Sequence, residues 1–128
     1  MNAQHLAASY LTALESADLD ALLSLFHPDA VVHSPLYGPT PAGDFYPRLL
    51  ADTGRASLHL RGVTEGPSLV AIWFRFDWTL PSGAPADFEC VDVLELDEDD
   101  RIRTLRIFYD TVTARPAFEE ETGTSWRG

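Results

Sequence analysis

Apolar residues recur at steps of three and four through the first quarter of the chain, then switch to steps of two. Ala3, Leu6, Ala7, Tyr10, Leu11 and Leu14 make one apolar helix face. Asp18 is placed to cap a second helix, in which Leu19, Leu22, Leu23 and Phe26 repeat the pattern. His27 and Pro28 are expected to end it, because the residue before a proline is pushed out of the helical region. A short strand is predicted over residues 30–34, followed by a loop rich in Pro and Gly. A third helix is predicted over residues 44–53, with Pro47 tolerated as a first-turn residue and Gly54 as the residue that ends it. Four strands follow, over residues 57–64, 69–80, 86–96 and 101–113, separated by Glu65-Gly66-Pro67, Pro81-Ser82-Gly83 and an acidic run ending at Asp100. Helices followed by consecutive antiparallel strands predict an α+β domain with its helices packed on one sheet face. That domain is expected over residues 1–114, with residues 115–128 as a C-terminal tail.

The strand faces carry the chemistry. Val70, Ile72, Phe74, Phe76, Trp78 and Leu80 alternate onto one side of the longest strand without a polar exception, opposite Trp73, Arg75, Asp77 and Thr79. Such an aromatic wall fits plain core as well as a pocket lining. In the next strand Phe88, Cys90, Leu94 and Leu96 share a face with Asp92 at its centre. A carboxylate there must be paired, protonated or functional, since an isolated buried charge is very costly. An ion pair with Arg75 or Arg103 is one outcome; a neutral acid that donates a hydrogen bond is the other. In the last strand Leu105, Ile107 and Tyr109 alternate against Ile102, Phe108 and Val112. Both faces are thus partly apolar, which predicts a homodimer.

Composition narrows the partners. With 45% hydrophobic residues in 128, the chain can build one core and a cavity. A formal charge of −11 repels phosphate backbones, so nucleic acid is not an expected partner. Cys90 is the only cysteine, which excludes an internal disulfide and fits a reducing, cytoplasmic compartment. The first residues show no signal-peptide pattern, and no apolar run reaches the ~20 residues of a membrane span. His27, His33 and His59 stand outside any metal-ligand spacing, so neither a metal nor a cofactor is expected.

The stretch from Ala8-Ser9-Tyr10-Leu11 through Asp18, Leu22 to Phe26, and Asp29-Ala30-Val31-Val32-His33-Ser34-Pro35 resembles the N-terminal half of bacterial ketosteroid isomerases. Cys90-Val91-Asp92-Val93-Leu94, the acidic turn, Arg101-Ile102-Arg103-Thr104 and Phe108-Tyr109 resemble the end of the same family. The resemblance, over residues 8–112, is to the ketosteroid isomerase-like, SnoaL-like (nuclear transport factor 2-like) superfamily. It implies a cone of three helices on a strongly curved, mostly antiparallel sheet around an apolar pocket. It also implies that Tyr10 and Asp92 are the two oxyanion-hole donors, Asp92 as a carboxylic acid kept neutral by its apolar surroundings. The family's catalytic aspartate falls on Ser34, which has no activating partner and cannot serve as a base at neutral pH. His33, adjacent in the strand, points to the opposite face.

The expected pocket is lined by Phe26, Phe74, Phe76, Trp78 and Tyr109, with Ser34 positioning substrate or a water. Isomerase- or lyase-type chemistry on a small apolar carbonyl or enol-forming compound is one expectation, though not ordinary steroid isomerisation. A non-catalytic binder of hydrophobic small molecules with the same cavity is another. A dimerising interaction domain is a third.

Overall fold

The computed structural model describes residues 2–128. The order is α1 (Ala3–Glu15), α2 (Leu19–Ser24), β1 (Phe26–Ser34), β2 (Gly38–Pro41), α3 (Ala42–Ala51), β3 (Arg55–Gly66), β4 (Leu69–Thr79), β5 (Phe88–Leu96), β6 (Ile102–Phe108) and α4 (Ala114–Thr122). The six strands form one open sheet in the order β2-β1-β6-β5-β4-β3. All neighbours are antiparallel except β1 and β6, which run parallel, so the sheet is mixed. The first helix packs on β3 and α2, and α3 packs on β1 and β2. The helices thus reach both edges of the sheet and hold its concave side.

Local chemistry accounts for most boundaries. The Asn2 side chain caps α1 by accepting from His5 N–H, and Asp18 caps α2 by accepting from Ala21 N–H at 3.1 Å. All six apolar positions named on the first helix face are buried. The inner face of β4 is buried from Val70 through Trp78, and Leu80 just beyond it is buried too.

Several expectations are corrected. The second helix stops at Ser24, and Phe26, assigned to it by periodicity, opens β1 instead. Phe26 pairs with Ile102, and the register then shifts before Val31, where His27 and Pro28 interrupt the ladder. The Pro- and Gly-rich loop contains a strand, β2, that pairs with the end of β1. Pro47 lies inside α3 rather than in its first turn. It is exposed, so water can take the carbonyl its missing N–H leaves unpaired. Ile102, placed by alternation on the outer face, is fully buried, because the register slips by one residue between Glu95 and Leu96 and turns it inward. The segment expected as a tail holds helix α4, which buries Ala114 and Phe118 and packs Phe118 against the Tyr37 and Trp78 rings.

Gly54 has a different role from the expected helix stop. Its N–H donates to the Thr79 carbonyl at 2.7 Å, and a Cβ there would lie 2.8 Å from the Leu80 carbonyl oxygen. Glycine is required for the close approach of two backbones, not for a left-handed turn. Gly54→Ala is therefore expected to lower stability by about 1–3 kcal/mol, read as a lower urea midpoint with an unchanged slope.

Candidate functional site

The concave side of the sheet and the helices above it enclose a narrow cleft with about 30 Å3 of free space, room for roughly one or two waters. Its lining is apolar and aromatic except at a few points. Helix α1 brings Tyr10 to it, the end of β1 brings Ser34, and β5 brings Asp92. Phe74, Phe76 and Trp78 from β4 and Tyr109 after β6 line it as well. Phe26 does not. It sits behind the cleft against the rings of Tyr10, at 6.4 Å, and Tyr46, at 5.3 Å, as part of the core.

Tyr46, on α3, was not singled out from the sequence. Its hydroxyl and that of Tyr10 are 2.8 Å apart, and both side chains are buried. A signal for it existed: Phe45, Tyr46 and Leu49 make the apolar side of α3 between Asp44 and Arg48. Burial pushes both phenols well above the usual tyrosine range, so both keep their protons. Two hydroxyls sharing one hydrogen bond leave one hydrogen to donate elsewhere.

Asp92 lies between Cys90 and Leu94 on the inner face of β5, opposite Ile72 of β4 and Ile107 of β6. It is 2% exposed, and its Oδ1 has no hydrogen-bond partner. Neither arginine that could have paired with it does so. Arg75 is on the outer face, with Nε 2.7 Å from Asp77 Oδ1, and Arg103 is exposed. Desolvation raises the Asp92 carboxyl to about 7, the nearby Cys90 thiol and Tyr10 hydroxyl pulling the other way without satisfying Oδ1. Burial, with the Asp92 charge beside it, also raises the Cys90 thiol far above its usual range, which leaves it protonated and a poor nucleophile.

Ser34 is buried, and its Oγ accepts from the backbone N–H of Leu36 at 3.2 Å and of Tyr37 at 3.3 Å. His33 points away from the cleft lining, and His59 meets Asp77 at 2.9 Å on the exposed face. No group of three His, Cys, Asp or Glu among the described residues is arranged to hold a metal ion, and no helix among them is long and apolar enough to cross a membrane.

The outer wall of the cleft is a ring stack. Phe88 lies on Tyr109 with centroids 3.8 Å apart and planes 11° apart, and on Phe76 at 5.1 Å. Both Phe88 and Tyr109 are only half-buried. Tyr37 and Ile107 are the other half-buried residues of the lining.

A model of the SnoaL-like domain matches residues 7–105. Among solved structures, the proposed polyketide cyclase IdmH from Streptomyces antibioticus is 20% identical, with a TM-score of 0.73 over 92% of this chain and 99% of that one. The Δ5-3-ketosteroid isomerase from a Mycobacterium species is 18% identical, with a TM-score of 0.72 over 87% and 95%. The epoxide hydrolase/cyclase-like enzyme SalBIII, of pyran ring formation in salinomycin, is 17% identical, with a TM-score of 0.72 over 87% and 92%. At these identities the likeness is one of fold, the α+β cone. No curated protein is a significant sequence match.

The raised Asp92 pKa is also a statement about stability. Between about pH 4 and pH 7 the unfolded chain ionises at this position while the folded one resists, so the folded state binds more protons and its stability falls as pH rises. The stability of the wild type minus that of Asp92→Asn is expected to drop by several kcal/mol across that window and to level off above it, measured by urea unfolding at each pH. Asp92→Leu is expected to be as stable as the wild type or more so at pH 7, since no cation is left unpaired. A large loss in that variant, or a difference that rises with pH, contradicts the assignment.

Proposed function

Because the chain belongs to the SnoaL-like domain family, we propose that it is an enzyme acting on a small apolar carbonyl or enol-forming compound, by chemistry of the isomerase, cyclase or hydratase kind. The observation that carries this reading is a buried carboxyl without a partner, Asp92, sharing an apolar cleft with a buried phenol, Tyr10. The solved ketosteroid isomerase and the cyclases of the same fold make this class of chemistry a natural use of such a cleft.

The roles follow from the donor inventory. Either hydroxyl of the Tyr10–Tyr46 pair can be the donor, and with Tyr46 donating to the Tyr10 oxygen the Tyr10 hydrogen is left for the substrate oxygen. The neutral form of Asp92 supplies a second donor to that oxygen. Donors held in a dry site are most effective where negative charge develops, so an enolate forming between them is stabilised relative to the bound ketone. Nothing at Ser34 can take the proton that such an enolisation releases. Base function in this chain must come from another group or from the substrate.

A second reading, a binding protein with no turnover, is favoured by Ser34 itself: the donors are kept while the position of the base holds a hydroxyl. The exposed face suits self-association in either case. Trp73, Val91 and Phe108 are direct neighbours across β4, β5 and β6, with Trp73 49% and Phe108 57% exposed. A homodimer through this row is expected, and Trp73→Glu with Phe108→Glu is expected to convert it to monomer in sedimentation without loss of fold.

The test of function uses simple phenols, which mimic an enolate oxygen. Tyr10→Phe and Asp92→Leu are each expected to weaken phenol binding at least tenfold, while Asp92→Asn, which can still donate, weakens it less. Ser34→Asp is then expected to raise the slow conversion of a β,γ-unsaturated ketone to its conjugated isomer. Tight phenol binding with no gain in that variant would favour the binding protein over the enzyme.

A further inference from the structure

Beyond the Tyr10–Tyr46 pair, two buried polar side chains face the cleft with hydrogen-bonding capacity that the protein does not use. One is Asp92, through Oδ1. The other is Ser34. A serine hydroxyl has one hydrogen to give and two lone pairs to accept with. At Ser34 both lone pairs are engaged, by the N–H groups of Leu36 at 3.2 Å and Tyr37 at 3.3 Å. Among the described residues no protein acceptor takes its hydrogen. The turn after β1 has therefore fixed the polarity of this hydroxyl: toward the cleft it can only donate. Of the other polar atoms of the lining, Tyr37 Oη donates to Asp52 Oδ2 at 2.7 Å and Trp78 Nε1 to Thr53 Oγ1 at 2.9 Å, while the hydroxyl of half-buried Tyr109 makes no hydrogen bond among the described residues.

We propose that the cleft takes a flat, largely apolar molecule with two oxygens of unlike character: an enolic or phenolic oxygen that meets Tyr10 and Asp92, and a separate carbonyl or ether oxygen that meets Ser34. The first half rests on the reading above; the Ser34 half is new. The oxygen at Ser34 is an acceptor that brings no hydrogen of its own. A hydroxyl there would bury a donor beside a serine whose lone pairs are already taken, and a buried donor without an acceptor weakens binding. The same geometry explains why Ser34 is no base, since it has no free lone pair to receive a proton. Flatness follows from the outer wall, where the ligand must lie along the Phe76, Phe88 and Tyr109 rings.

Two probes separate the halves. 4-Hydroxyacetophenone carries both oxygens, whereas 4-ethylphenol has the same ring and phenol but no acceptor. The acetyl group also alters phenol acidity, so the readout is the ratio of the two dissociation constants compared between proteins. Ser34→Ala is expected to shift that ratio about tenfold toward 4-ethylphenol. Ser34→Asn can cap the Leu36 and Tyr37 N–H groups with its amide oxygen and still donate through its NH2, so it is expected to keep the wild-type ratio. Ser34→Asp can cap but not donate, and is expected to behave as Ser34→Ala. The Asn and Asp variants carry the test if Ser34→Ala fails to fold. If 4-ethylphenol binds in a Tyr10-dependent way but the ratio is unmoved by Ser34→Ala, or is the same in Ser34→Asn and Ser34→Asp, the Ser34 assignment is wrong and the functional reading survives. If the wild type binds neither phenol, both fall together.

Discussion

Holding the Asp92 carboxyl in the apolar face of a sheet, with no cation to meet it, is costly in its ionised form, and the surrounding structure resolves that cost in one way. The neighbouring strands place Ile72 and Ile107 on either side, Cys90 and Leu94 lie above and below it, and the arginines of β4 and β6 are on the far face or exposed. A group in that position stabilises the fold only to the extent that it is neutral. Its pKa is accordingly raised until ionisation falls near neutral pH. A packed core with no further purpose would place an apolar side chain there, since replacing a buried polar group by an apolar one of similar shape is often neutral or stabilising.

The rest of the cleft is built around that carboxyl from three separate parts of the chain. The Tyr10 and Tyr46 hydroxyls tie α1 to α3, and one hydrogen of the pair is not used between them. Ser34 ends β1, where its hydroxyl caps the turn that starts the Pro- and Gly-rich segment. Helix α4 closes the far side, with Phe118 against Tyr37 and Trp78 and with Arg115 holding the Pro35 carbonyl and the Trp126 carbonyl. The polar groups thus come from helix, strand and turn positions that are buried, while Tyr37, Phe88, Ile107 and Tyr109 are the half-buried part of the wall.

Family membership and site chemistry constrain function differently. The fold hosts isomerases and cyclases, and fold by itself does not choose among them. The choice depends on which groups can move a proton. In this chain the phenols and the thiol are held protonated by burial, and Ser34 has no lone pair free, which leaves Asp92 as the one group of the lining that ionises near neutral pH. On the proposed reading its neutral form donates beside Tyr10, and its ionised form is the lining group able to accept a proton near neutral pH.

Periodicity in the sequence was sufficient for the first helix, for the long strand and its aromatic wall, and for the isolation of Asp92, because each depends on neighbours within one element. The Asp18 cap was legible for the same reason. What depends on pairing between distant segments was not. Phe26 belongs by spacing to a helix but by partnership to β1, since Ile102 is waiting across the ladder. Ile102 itself turns inward only because the β5–β6 register slips by one residue. The acidic, uneven stretch after Ala114 shows little of its helix in composition, and becomes ordered where Phe118 finds the Tyr37 and Trp78 rings. At the site, sequence determined which groups are present and that Asp92 is surrounded by apolar neighbours. Only the tertiary structure decided that Tyr46 meets Tyr10, that no arginine reaches Asp92, and that the turn after Ser34 takes up both of its lone pairs. A hydrogen bond is fixed by distance and direction between atoms that the chain brings together from far apart, and one-dimensional spacing carries neither.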